Sequence, residues 1–172
     1  VYVAGSIDES LKDKTVVIRA HGVPPAIKEQ LGEIGAHVVD GTCPNVIRSQ
    51  VIIKKYFSMG YSIVIVGDRG HAEIDSLLGF ADNQTAVVEN IEEACALPHK
   101  EKICIVAQTT LNIPMFEEVS EEIRKHADEC YVANTICSST MRRQDDVRKL
   151  AVETDATVVV GGRNSANTNR LA

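Results

Sequence analysis

Ser62-Ile63-Val64-Ile65-Val66-Gly67-Asp68-Arg69-Gly70-His71-Ala72-Glu73 reads as a strand that stops at glycine and turns into the start of a helix. Its apolar side chains run continuously instead of alternating with polar ones, the pattern of a strand covered on both faces. Working outward, the same unit recurs. Thr15-Val16-Val17-Ile18-Arg19-Ala20 breaks at His21-Gly22 before Pro24-Pro25, and His37-Val38-Val39-Asp40 breaks at Gly41-Thr42-Cys43-Pro44 before a helix reaching about residue 58. Proline suits the first helical turn, where its missing N–H is no loss. Further strands are expected over 85–88, 102–106, 130–133 and 156–160, with helices over 116–126 and 142–152 between them.

This alternation predicts an α/β protein of small parallel-sheet lobes in tandem, with helices on both faces. No linker rich in Pro, Gly or Ser separates them, so boundaries are set where the pattern changes, near Cys43 and Asn134. The expectation is a partial lobe over 1–43, a central lobe over 44–133 and a partial third lobe over 134–172.

The composition narrows the function. With 172 residues, 44% of them hydrophobic and 24% charged, the chain can build a real core and is no disordered segment. Its net charge is -6 and its 18 Lys and Arg are scattered, which argues against a nucleic-acid partner. Apolar runs such as Val158-Val159-Val160 are too short to cross a bilayer, and no charged segment leads into an apolar one at the start. A cytoplasmic protein is expected. The chain opens on Val1 and closes on Arg170-Leu171-Ala172 within a helix-like stretch, so it is read as an internal piece of a longer protein. Its five Cys are odd in number and irregular in spacing, which points to ligands or nucleophiles and away from a disulfide framework.

In open parallel sheets, ligands bind beyond the carboxyl ends of the strands, where helix N-termini offer free N–H groups and partial positive charge. Those ends hold His21, Cys43, His71 with Glu73, Thr109-Thr110, Cys137, and Ser165 with Asn167. Cys43 before Pro44 and Cys137 before Ser138-Ser139-Thr140 sit where a helix start favours thiolate, the form that binds metal or attacks a substrate. The competing reading is a small buried hydrophobe, and it is kept for Cys95, Cys104 and Cys130. His21 and His71 occupy equivalent turns, and Glu73 two residues beyond His71 makes a proton-transfer pair; His37, His99 and His126 read as surface residues. Gly161-Gly162-Arg163-Asn164-Ser165-Ala166-Asn167 supplies hydroxyl, amide and N–H donors for an anion, though an ordinary Ser or Asn cap would satisfy the same string.

These motifs, in order from Arg19-Ala20-His21-Gly22-Val23-Pro24 through Asp40-Gly41-Thr42-Cys43-Pro44, Gly70-His71-Ala72-Glu73, Gln108-Thr109-Thr110-Leu111 and Thr135-Ile136-Cys137-Ser138-Ser139-Thr140 to Asn164-Ser165-Ala166-Asn167-Thr168-Asn169-Arg170, resemble the 4-hydroxy-3-methylbut-2-enyl diphosphate reductase family. The resemblance implies three α/β lobes around a 4Fe–4S cluster, with Cys43 and Cys137 as two ligands and a third Cys upstream of Val1. It implies that His21, His71, Ser165 and Asn167 hold a diphosphate, that Thr109 binds substrate near its hydroxyl, and that Glu73, with His71 and Thr109, serves the chemistry as proton relay. The implied reaction is reductive dehydroxylation of the allylic diphosphate to isopentenyl and dimethylallyl diphosphate, the last step of the non-mevalonate pathway, with an electron donor such as ferredoxin or flavodoxin. This chain alone is then an incomplete, inactive piece. Arg142, Ala166 and Ser76-Leu77 depart from the family's usual residues. Two other readings remain: a non-catalytic α/β module that binds a phosphorylated metabolite, and a two-thiol redox or zinc site, which the absence of a Cys-x-x-Cys pair disfavours.

Overall fold

The computed structural model describes residues 2–81 and 85–172. Among them the apolar runs form strands β1 (Thr15–Ile18), β2 (His37–Asp40), β3 (Ser62–Val66), β4 (Ala86–Val88), β5 (Lys100–Ala107) and β6 (Ala127–Ala133). Between and after these lie helices α1 (Pro25–Ile34), α2 (Pro44–Ser58), α3 (Ala72–Leu78), α4 (Ile91–Cys95), α5 (Ile113–Arg124), α6 (Ser138–Glu153) and α7 (Ala166–Leu171). β1 and β2 form one parallel pair, and β4-β3-β5-β6 form a parallel four-stranded sheet. The chain therefore leaves β3 toward β4 on one side and returns past β3 to β5 on the other. The loops after β3 and β5 diverge at that reversal, which is where such a sheet opens a crevice for ligands.

The continuous apolar runs follow from a sheet covered twice. Val64, Val66, Ile103, Ile105 and Ala107 pack against Phe116, Val119 and Ile123 of α5. Their neighbours Ile63, Ile65, Cys104 and Val106 face the other way, against Val46 and Ile53 of α2 and Ile74 and Leu77 of α3, because successive side chains of a strand point to opposite faces. Ile53, Ile65, Leu77, Ile105 and Ile123 are fully buried, and each contributes about 1.5–3 kcal/mol relative to exposure. The α/β class with helices on both faces of the sheet is thus observed.

Two expectations fail. Residues 156–160 form no strand; no described strand lies beside them to pair their backbone groups, and Val158 and Val160 stay 83% and 91% exposed. Cys95, expected to be buried, is exposed, because at the end of the short α4 the inward position is taken by Ala94. Cys104 is buried, and burial pushes its thiol up to about 12. No helix among the described residues is long and apolar enough to cross a membrane.

Candidate active site

Both sheets end at the same edge of the molecule, and short-range contacts fasten their turns together. The Cys43 N–H, just after β2, donates to the Ala20 carbonyl after β1 at 2.9 Å. The Asp40 carboxylate closes the intervening turn by accepting from the Thr42 N–H at 3.0 Å and pairing with Lys28 at 2.6 Å. Gly22 has φ 73°, and a Cβ there would lie 2.7 Å from Gln50 Nε2 of α2 and 2.9 Å from Ser76 Oγ of α3. Only glycine lets the first turn rest on those helices. Gln50 and Ser76 are both buried and satisfy each other through a 3.2 Å hydrogen bond beneath it.

This docking places His21 beside His71, with ring centroids 5.2 Å apart and the rings nearly perpendicular. His71 caps α3: its Nδ1 accepts from the Glu73 N–H at 3.2 Å. That bond requires an unprotonated Nδ1 and leaves Nε2 as the donor. Burial lowers the pKa of His71, and the neighbouring His21 and Arg170 lower it further, against the pull of Asp68 and Asp75. Burial, then the Arg19 charge, also lowers that of His21. Among the described residues, His21 Nδ1 is buried without a hydrogen-bond partner.

Glu73 spans the reversal of the sheet. It stands in α3, after β3, yet its carboxylate accepts from both the N–H and the hydroxyl of Thr109, after β5, each at 2.7 Å. The side chain is 1% exposed. Burial pushes its carboxyl above the ordinary value, in spite of the two Thr109 bonds that pull it down. Beside it Gln108, with no exposed surface, accepts from the Asp68 N–H at 2.8 Å and donates to Thr110 Oγ1 at 2.9 Å.

The thiols join the same edge. Cys137 is the residue before α6, and its N–H donates to the Thr109 carbonyl at 2.8 Å. Its Sγ receives a hydrogen bond from Asn45 Nδ2 at 3.2 Å and lies 2.9 Å from Ser139 Oγ. Burial alone would push the Cys137 thiol up, but hydrogen bonds from Ser139 and Thr140 outweigh it and hold the thiol below its ordinary value. Asn45 lies in the first turn of α2, directly after Cys43-Pro44, so the helix starts led by Cys43 and Cys137 are neighbours. Cys43 is half-buried at the margin of the core.

Ser165 and Asn167 arrive differently. Ser165 Oγ caps α7 by accepting from the Thr168 N–H at 3.3 Å, and Asn167 Oδ1 is buried with no partner among the described residues. Their helix reaches the edge through Arg170, which grips both carboxylate oxygens of Asp68 at 2.7 Å and donates to Thr110 Oγ1 at 3.2 Å. A contiguous set thus links His21, Cys43, His71, Glu73, Thr109 and Cys137, and α7 is tied to it. No group of three or more His, Cys, Asp or Glu suited to a metal occurs among the described residues. Sequence reasoning passed over Asn45, Asp68 and Arg170 as partners; the polar run Gln108-Thr109-Thr110 directly after an apolar strand was the one local sign of the network.

Comparison with known proteins places this geometry in context. The family model described as LytB protein matches residues 3–172. A 4-hydroxy-3-methylbut-2-enyl diphosphate reductase of Treponema denticola is 40% identical over 170 residues, covering 95% of this chain and 58% of that protein. The enzyme of the same name from Geobacter sulfurreducens is 42% identical over 164 residues, with 95% and 58% covered. Among solved structures, the E-1-hydroxy-2-methyl-but-2-enyl-4-diphosphate reductase of Plasmodium falciparum superposes with a TM-score of 0.89 at 26% identity, covering 98% of this chain and 54% of that one. A structure of (E)-4-hydroxy-3-methyl-but-2-enyl diphosphate reductase, described as the terminal enzyme of the non-mevalonate pathway, gives 0.69 at 42% identity, covering 91% and 57%. The chain therefore spans somewhat more than half the length of these relatives.

Proposed function

The chain belongs to the LytB protein family, and on that premise we propose that it carries most of the active site of a reductase that removes the hydroxyl of 4-hydroxy-3-methylbut-2-enyl diphosphate. The observation that carries the reading is Glu73, a fully buried carboxyl raised toward its protonated form and held by Thr109 at the reversal point of the sheet. Reductive dehydroxylation consumes two electrons and two protons and releases water, so the site needs a proton source that is dry and fixed. Burial raises the Glu73 carboxyl toward the protonated form, which suits it to supply such a proton, and the Thr109 hydroxyl orients it.

Cys43 and Cys137 suit the 4Fe–4S cluster of the proposed enzyme: two half-buried thiols at adjacent helix starts, one of them held toward thiolate. With no third donor beside them among the described residues, the remaining Cys ligand comes from the part of the protein this chain does not span. When bound, the cluster supplies electrons and a Lewis-acidic iron at the leaving oxygen. His21, His71, Ser165 and Asn167 hold the diphosphate through imidazole, hydroxyl and amide donors, and the unpartnered His21 Nδ1 and Asn167 Oδ1 are groups a ligand or its proton would satisfy. An external protein electron donor, of the ferredoxin or flavodoxin kind, completes the cycle in the cytoplasm.

The test is anaerobic purification of the full-length protein that contains this chain. It should show the broad visible absorption of an iron–sulfur cluster and convert the allylic diphosphate to isopentenyl and dimethylallyl diphosphate with a chemical reductant. A protein that binds diphosphate but carries no iron would instead be a non-catalytic binding module.

A further inference from the structure

We propose that Arg170 and Asp68 form the clamp that positions α7, and with it Ser165 and Asn167, on the edge that carries His21, His71 and Glu73. The inference rests on the reading of Ser165 and Asn167 as diphosphate contacts and adds to it the residues that set their place. Among the described residues, every hydrogen bond that ties 158–172 to the rest of the chain comes from the single side chain of Arg170. Apolar anchoring is slight: in α7 only Ala166 is buried. Beyond its packing against α6, the polar contact of Arg170 is what ties α7 to the turns after β3 and β5.

That contact is built for geometry. The guanidinium meets both oxygens of Asp68 at 2.7 Å, its side chain is 14% exposed, and it also reaches Thr110 Oγ1 at 3.2 Å. Asp68 is held from behind by Gln108, which accepts from its N–H at 2.8 Å and donates to its Oδ2 at 3.3 Å. One terminal nitrogen, Nη2, holds both Asp68 oxygens while the other, Nη1, holds Thr110 Oγ1, so the planar guanidinium is fixed in direction as well as distance, which one surface ion pair does not achieve. Asp68 lies three residues before His71 on the same turn, and Thr110 directly follows Thr109. The clamp thus registers α7 against both loops that flank the reversal of the sheet. It also occupies the Arg170 charge, so Arg170 acts on the diphosphate through α7 and is a positioning residue.

Two measurements on the full-length protein test this, using Asp68→Asn, Arg170→Lys and the double variant Asp68→Asn/Arg170→Gln. Without any ligand, amide hydrogen exchange over 166–171 should accelerate about tenfold in Asp68→Asn, while the amides of β3 and β5 keep their protection. Unchanged exchange over 166–171 overturns the clamp. In calorimetric titration with inorganic pyrophosphate, Asp68→Asn should weaken binding about tenfold. The double variant should be no weaker than that single change, and Arg170→Lys, which keeps charge but loses the fork, should fall between. Tighter pyrophosphate binding in Asp68→Asn would mean that a freed Arg170 is itself a phosphate ligand, and this overturns the proposal. Faster exchange with unchanged affinity overturns the link to Ser165 and Asn167. If the unsubstituted protein binds no pyrophosphate, the diphosphate reading of α7 falls, while the exchange experiment still decides the clamp.

Discussion

Replacing Glu73 with Gln keeps the shape of the side chain and removes its proton, and the structure fixes what each loss should cost. The carboxylate accepts two hydrogen bonds from Thr109 at 2.7 Å in a site 1% exposed. In the variant, the amide oxygen still accepts from the Thr109 N–H, and the amide nitrogen donates to a rotated Thr109 hydroxyl. Both partners stay satisfied, so stability at neutral pH should change by no more than about 1 kcal/mol. Glu73→Ala instead strands two buried donors at roughly 1–3 kcal/mol each, a large share of a typical domain's stability. The pH dependence carries the sharper test. Burial raises the Glu73 carboxyl pKa, so its stabilising contribution is complete below about pH 4.3, the unfolded value, and is lost as pH rises through the folded one. A neutral amide has no such loss. Urea denaturation should therefore show the Gln variant gaining on the parent as pH rises from about 4 to 8, while turnover in the full-length enzyme drops about 100- to 10,000-fold. A stability difference that stays flat with pH, or moves the other way, refutes the inference that burial raises the Glu73 carboxyl.

Cys43→Ser and Cys137→Ser should each abolish the visible chromophore and iron retention of the full-length protein while pyrophosphate still binds; full iron content in either would remove that thiol from the ligand set. His21 and His71 are held below the ordinary imidazole value by burial, so their contribution to stability is present above about pH 6.5 and lost as pH falls through the folded values. An anion placed between them reverses that balance, so pyrophosphate binding near pH 7 should take up protons; equal heats in buffers of different ionisation enthalpy would contradict this. Gly41→Ala sets a Cβ 2.6 Å from the Ile18 carbonyl, a backbone atom that cannot rotate away. It should cost about 1–3 kcal/mol in urea denaturation, and an unchanged midpoint would show that the turn yields.

The strands that were legible in the sequence are those whose neighbours lie within it. Ile63-Val64-Ile65-Val66 announced β3 because both faces are covered, by α5 on one side and by α2 and α3 on the other. The run 156–160 has the same local composition and forms nothing, because a strand needs a partner as well as a propensity. For the site, glycine and proline punctuation located the turns that carry His21, Cys43, His71 and Cys137. Local sequence could not pair Asp68 with Arg170, 102 residues away, or Asn45 with Cys137, 92 away. Those contacts are products of the sheet order, which places the turn after β3 next to the turn after β5 and brings α2 and α6 start to start.

That same order divides the site by energetic role. In the proposed reaction the diphosphate is present in substrate, transition state and product alike, so every donor at that end binds all three equally and affects KM more than kcat. On this proposal His21, Ser165, Asn167 and the Arg170 clamp belong to that uniform end, and His71, which also caps the helix that carries Glu73, to both. The hydroxyl alone changes character as it leaves as water, and the group that meets it must differ between ground and transition states. Among the described residues Glu73 is the one buried acid; its surroundings raise its carboxyl, and its carboxylate is fastened to Thr109 across the reversal. An acidic chain with few local cations can therefore hold an anion with neutral donors and helix starts at one end. Differential stabilisation is kept for a single proton at the other, so lesions at the two ends should separate cleanly into KM and kcat effects.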